Sequence, residues 1–154
     1  MKDKQVLGWR EWVGFPDLGI VQIKAKVDSG ARTSCLHAFR VEPFEREGRD
    51  WVSFDIHPQQ GNTDEVITCE APVLDKRAVR DSGGHEEIRY VIETTIRIGE
   101  RSHTAEVTLT DRDTMKFRVL LGRSMFRGEY LVDASRSYLC GKKKRKAENT
   151  ASLS

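Results

Sequence analysis

The chain has 154 residues, 38% apolar and 32% charged, with a formal net charge of +2. Such a balance fits one soluble domain with a single core and excludes a fibrous, low-complexity or wholly disordered chain. No apolar run is long enough for a bilayer span or a secretory leader, so a cytoplasmic protein with no membrane segment is expected.

The positive charge is uneven. Lys142, Lys143, Lys144, Arg145 and Lys146 face a single acid, Glu148, so residues 142–154 read as a basic, disordered tail behind a domain of residues 1–141. Cys35, Cys69 and Cys140 are odd in number and widely spaced, which suits reduced thiols better than a disulfide framework.

In chain order, residues 5–9 and 20–27 read as strands, joined by a loop through Gly14, Pro16, Asp17 and Gly19. Ser34 to Phe44 can extend again. Trp51 to His57 alternates cleanly, with Val52, Phe54 and Ile56 on one face. Val66 to Leu74 is a weaker strand, placed near a sheet edge by Pro72. Val73 to Arg80 and His85 to Ile98 flank Asp81-Ser82-Gly83-Gly84, a hairpin signal whose polar tip should project from the body. In the second arm Ile88, Tyr90, Ile92, Thr94, Ile96 and Ile98 share one side. Ala105, Val107 and Leu109 mark the next strand, and Phe117 to Leu121 another. Arg123 to Arg127 makes one helical turn stopped by Gly128, and Tyr130 to Val132 and Ser137 to Leu139 finish the fold. With no helix-period stripe of any length, the expected class is mostly β, a closed or partly closed barrel.

One stretch carries chemistry. The strand ending at Val27 delivers Asp28 into the turn Asp28-Ser29-Gly30-Ala31, followed by Arg32-Thr33-Ser34. Ser29 can bond to nearby backbone there, and Gly30 can take a backbone angle closed to other residues. About ninety residues later comes Val119-Leu120-Leu121-Gly122-Arg123. Gly122 would let backbone approach the Asp28 loop closely.

These two motifs, in this order and with a hairpin between them, resemble the retropepsin-like aspartic proteases. Lys24 to Ser34, Leu109-Thr110-Asp111-Arg112 with Met115, and Leu131 to Tyr138 narrow the likeness. They are similar to one bacterial and archaeal family, also labelled ATP-dependent zinc protease. The resemblance covers roughly residues 5–140 and implies a retropepsin-like acid-protease β-barrel with a flap hairpin, Lys76 to Ile92, and one short helix. It implies an aspartic endopeptidase that trims glutamate tails from a small-subunit ribosomal protein, beside a glutamate ligase.

Aspartic proteolysis needs two facing carboxylates that share a proton. A chain with one such loop must take the second Asp28 from another copy, so a homodimer is expected. Asp28, Ser29 and Gly30 form the expected catalytic loop. Asp81-Ser82-Gly83 has no apolar strand before it and reads as the flap turn, while Asp133 lacks a following Gly. Lys24, Lys26 and Asp28 lie on one strand face. Lys26, Ala31, Arg32, Arg77, Arg80 and Arg123 are the expected substrate-binding residues, a cationic wall suited to acidic peptides.

Two rival functions follow from the same residues. A zinc peptidase would draw on His37, His57, His85 and His103, but no His-Glu-x-x-His or Cys-x-x-Cys is present, and Cys35-x-His37 is the nearest to a ligand pair. No cofactor or metal is expected, and no phosphate-cradling loop supports use of ATP. The other rival is a non-catalytic module of the same fold that binds acidic peptides.

Overall fold

The computed structural model describes residues 4–59, 65–80, 83–111, 117–126 and 128–141, with backbone alone at 79 and 80. The basic tail and the Asp81-Ser82 turn lie outside the described residues. Eleven strands and one short helix follow in order: β1 Gln5–Gly8, β2 Arg10–Phe15, β3 Ile20–Asp28, β4 Ser34–His37, β5 Phe39–Arg46, β6 Arg49–Ile56, β7 Ile67–Arg80, β8 Glu86–Ile98, β9 Arg101–Thr110, β10 Val119–Gly122, α1 Arg123–Phe126 and β11 Tyr130–Asp133.

Strands β2, β3, β10, β4, β9 and β8 are hydrogen-bonded in that order, and β8 returns to β2, which closes a six-stranded barrel. Closure removes the free edges that an open sheet would carry. The sheet continues outward from β8 through β7 and β6 to β5, while β1 and β11 form a separate parallel pair. The alternation in the sequence sets which side chains fill the barrel. Ile23 and Ala25 of β3 are buried, as are Ile92, Ile96 and Ile98 of β8, Val107 and Leu109 of β9 and Val119 and Leu121 of β10. Val52, Phe54 and Ile56 of β6, also buried, continue this core beyond the barrel.

The β7–β8 hairpin is the expected flap, with Arg80 opposite Glu86 and Val73 opposite Ile92. Its apolar stripe is buried only where the hairpin meets the barrel. Ile92, Thr94, Ile96 and Ile98 are covered, Tyr90 is half-buried, and Ile88 near the tip is 55% exposed. Pro72 sits inside β7, where pairing passes from β6 (residues 67–72) to β8 (residues 73–80), with a register shift between Val73 and Asp75. Each half of β7 thus has one partner, which is how an interior strand holds a proline.

Two expectations need correction. Arg10–Phe15, read as part of a loop, is strand β2, antiparallel to β3. Its inward residues include Glu11, fully buried, and a carboxylate at a core position breaks the apolar period that marks a strand. Ser137 to Leu139, expected to close the fold as a strand, is irregular chain instead. It is held by backbone bonds from the Trp9 amide to the Arg136 carbonyl and from the Tyr138 amide to the Arg10 carbonyl, both 2.9 Å.

Glu11 explains both corrections. Its Oε2 accepts from the Gly8 amide at 2.6 Å and the Leu139 amide at 3.0 Å, and its Oε1 from the Cys140 amide at 3.1 Å. Three backbone donors that no strand pairing reaches are satisfied by one carboxylate. Burial pushes the thiols of Cys69 and Cys140 up to about 12.

Replacing Glu11 by Ala leaves those buried donors without acceptors. Expected is a loss of about 3 kcal/mol in unfolding free energy, read from the urea midpoint. A midpoint equal to that of the wild type would contradict the role given to this carboxylate.

Candidate active site

Asp28 is the last residue of β3, and parallel pairing sets Leu121 opposite Val27 and Gly122 opposite Asp28. The chain then turns. The Gly30 amide donates to Asp28 Oδ1 at 3.0 Å, and the Ala31 amide donates to the Asp28 carbonyl at 3.2 Å. The first bond fixes the carboxylate relative to the loop that it heads, and it makes this an Asx turn. The hydroxyl of Ser29, expected to make such a bond, makes none among the described residues, so Asp28 itself supplies the local acceptor.

Gly30 also differs from expectation. It does not adopt the left-handed backbone angle, and a Cβ there would lie 3.3 Å from Asp28 Oδ1. Its small size serves close approach of its amide to the carboxylate.

The next element straps the loop down. The Arg123 amide donates to the Ala31 carbonyl at 2.8 Å and the Ser124 amide to the Arg32 carbonyl at 3.0 Å. The Gly122 amide donates to the buried Ser34 Oγ at 3.0 Å. A Cβ on Gly122 would fall 2.4 Å from the Thr33 carbonyl carbon and 2.7 Å from its oxygen, so no side chain fits. Residues 28–34 are therefore held from below by β10 and from the side by the start of α1. Ser29 and Gly30 remain exposed, and Asp28 is partly so.

The expected cationic residues divide into three groups. Lys26 is exposed on the same strand face as Asp28, with Arg10 and Leu120 as its neighbours in β2 and β10. Arg32 is exposed at the end of the loop, and Ala31 beside it is half-buried. These three border the carboxylate. Arg123 lies close as well, but its Nη1 donates to the carbonyls of Ser29 (3.4 Å) and Gly30 (3.3 Å), so it stiffens the loop. Arg77 is engaged on the flap strand β7, its Nε 3.1 Å from Asp75 and its Nη2 3.5 Å from Glu106. Arg80 is described by backbone alone, opposite Glu86 in the flap. Lys24, on the Asp28 face, lies 5.4 Å from the Trp12 ring centroid.

Sequence reading gave no role to Ser34, Thr33 or Arg10. Arg10 stacks on Trp9 and Tyr138 at 4.6 and 5.1 Å and donates to Ser137 Oγ at 3.1 Å, bracing the strand beside Lys26. The Ser34–Gly122 bond joins residues 88 positions apart, which no local pattern reveals. Among the described residues, no three His, Cys, Asp or Glu side chains gather around a point where one ion could sit. Nor is any helix long and apolar enough to cross a membrane.

Comparison with known proteins points the same way as this geometry. Residues 6–143 match the family described as retropepsin-like aspartic endopeptidase RimB. A protein of Shewanella pealeana named probable alpha-L-glutamate ligase is 47% identical over 141 residues, which is 92% of this chain and 31% of that protein. A protein of the same name from Parasynechococcus marenigrum is 48% identical over 141 residues, or 92% and 30%. The chain thus spans about a third of the length of the curated relatives it matches. The crystal structure of a Legionella pneumophila protein of unknown function shares the fold, with a TM-score of 0.71 at 23% identity over 88% of this chain and 98% of that one.

Gly122→Ala forces backbone against backbone at the loop's support. The expected cost is about 3 kcal/mol of stability, with faster amide exchange at Gly30 and Ala31. Unchanged exchange and an unchanged urea midpoint would show that the close approach is dispensable.

Proposed function

The chain belongs to the family of retropepsin-like aspartic endopeptidases, and on that premise we propose that it hydrolyses peptide bonds as a homodimer, one Asp28 coming from each copy. The observation that carries this reading is the Asp28 turn, a solvent-open carboxylate fixed by the Gly30 amide in a loop that β10 and α1 immobilise. Two such carboxylates set face to face cannot both ionise readily, so one keeps its proton. The ionised member takes a proton from water as the oxygen attacks the peptide carbonyl, and the protonated member gives its proton to the carbonyl oxygen. The proton taken from water then passes to the nitrogen as the carbon–nitrogen bond breaks.

One loop per chain makes a single copy half a site. The β1–β11 pair offers a surface for the second. Among the described residues the outer edge of β11 carries no strand, and Val6, Leu131 and Val132 on the pair are 39%, 55% and 42% exposed. It lies next to the catalytic strand, since the Val27 amide donates to the Trp9 carbonyl at 2.9 Å. Apolar side chains on an open sheet edge favour pairing with another copy.

The substrates in this reading are acidic peptides, met by Lys26 and Arg32 beside the carboxylate. The specific case is a glutamate tail on a small-subunit ribosomal protein, with a glutamate ligase as partner. Relatives named probable alpha-L-glutamate ligase, in which a stretch like this one makes up about a third of the chain, support that assignment.

Asp28→Asn is expected to lower cleavage of a glutamate peptide at least about a thousandfold while leaving the fold and peptide binding intact. Mixing it in equal amounts with wild type, after subunit exchange, should cut activity per wild-type chain to about half, because mixed dimers lack one acid. Activity per wild-type chain that stays constant would overturn the two-copy site. Wild type that binds glutamate peptides and never cuts them would identify a binding module. Leu131→Asp should shift the protein toward monomer in sedimentation and reduce activity most at low concentration. An unaltered dimer would place the interface elsewhere.

A further inference from the structure

Strand β9 is covered unequally on its two edges. One edge pairs with β8 from Arg101 through Thr108. The other pairs with β4 only from Val107 to Thr110. Among the described residues, 102–106 therefore carry a bare edge, since the backbone of Ser102 to Glu106 makes no hydrogen bond beyond the β8 ladder. Strand edges of this kind recruit another extended chain.

The bare edge is one wall of a groove of about 630 Å³, and Arg32, Thr33, Ser124 and Met125 make the other. The groove begins where the Asp28 loop ends. Arg32 and Thr33 directly precede Ser34, which opens β4 opposite Val107. A strand laid in the groove would continue the line of β4 along β9. Five residues of edge span about 17 Å, and their donors and acceptors recur at the two-residue repeat of extended chain. An extended polypeptide matches that repeat along its whole length.

Charge indicates which polypeptide. Two acids line the groove, but Glu106 Oε2 lies 3.5 Å from Arg77 Nη2 and Glu129 Oε2 lies 3.5 Å from His103 Nδ1. Arg32 is exposed, and its side chain has no partner among the described residues. At the end of the groove next to Asp28 the charge left open is thus that of Arg32, which is positive, and the two acids lie further along the β9 edge.

We infer that this groove is a strand-addition subsite, in which an acidic peptide running on from the Asp28 centre adds to the free edge of β9 and sets a carboxylate against Arg32. The inference rests on the peptidase reading for where the peptide comes from. Main-chain bonds would supply affinity along the edge, and Arg32 would supply the preference for acid. The consequence is selection for length, since only a substrate that reaches past the loop gains the edge.

The test uses full-length protein and a peptide of about ten glutamates, roughly 33 Å when extended. With Asp28→Asn protein, saturating peptide should slow amide exchange in 102–106 about tenfold. With wild type, KM should fall about tenfold from a peptide of about four glutamates to one of about ten, and Thr104→Trp, which fills the groove, should remove that length dependence. Unchanged exchange at 102–106 overturns strand addition whether or not the peptide is cut. Slowed exchange without cleavage by wild type keeps the subsite and removes the peptidase reading.

Discussion

The structure depends on a place where a side chain is missing. Gly122 lies opposite Asp28 in the parallel β3–β10 pairing, and its backbone packs against the backbone of Thr33 and Ser34 at a distance that leaves no room for a Cβ. Close approach lets the Ser34 hydroxyl accept from the Gly122 amide and lets the next two amides, of Arg123 and Ser124, reach the carbonyls of Ala31 and Arg32. A loop that has lost its freedom to these bonds holds a carboxylate in one orientation without further ordering when substrate arrives. The glycine therefore seats the Asp28 loop although it makes no bond to the carboxylate itself.

Around this fixed point the molecule divides into satisfied and unsatisfied surfaces. The barrel closes its own edges, and Glu11 satisfies the amides that barrel geometry leaves over at Gly8, Leu139 and Cys140. Among the described residues, what stays open is the outer edge of β11 and the first half of β9. Sheet proteins normally blunt exposed edges, so edges left free beside the Asp28 loop fit a surface that other chains complete, which is the premise of the proposed dimer and of the proposed strand-addition subsite.

The cations show how position separates residues of the same type. Lys26 and Arg32 reach solvent beside Asp28. Arg123, one residue after the glycine, turns its guanidinium onto the loop's carbonyls, and Arg77 is held by Asp75 and Glu106. All four look alike in the sequence as basic residues near a motif. Which of them stays open to a ligand depends on the acceptors that folding brings within reach, since a guanidinium already hydrogen-bonded to protein has fewer donors to offer.

Much of this protein was legible without coordinates. Alternation with a period of two fixed most strands, Asp-Ser-Gly-Gly marked the hairpin, and the Asp28 and Gly122 motifs pointed to the loop and its support, because each signal is local and depends on few neighbours. The failures came where a residue's role depends on distant chain. Glu11 hid β2 because its three donors lie at both ends of the sequence, and Ser34 gained its role from a glycine 88 residues away. The sequence alone determined the class of fold, the turn headed by Asp28 and the glycine that seats it. Tertiary structure decided which cations stay available, which strand edges stay bare and how the loop is held, since those are properties of pairings between segments that approach one another only after the barrel closes.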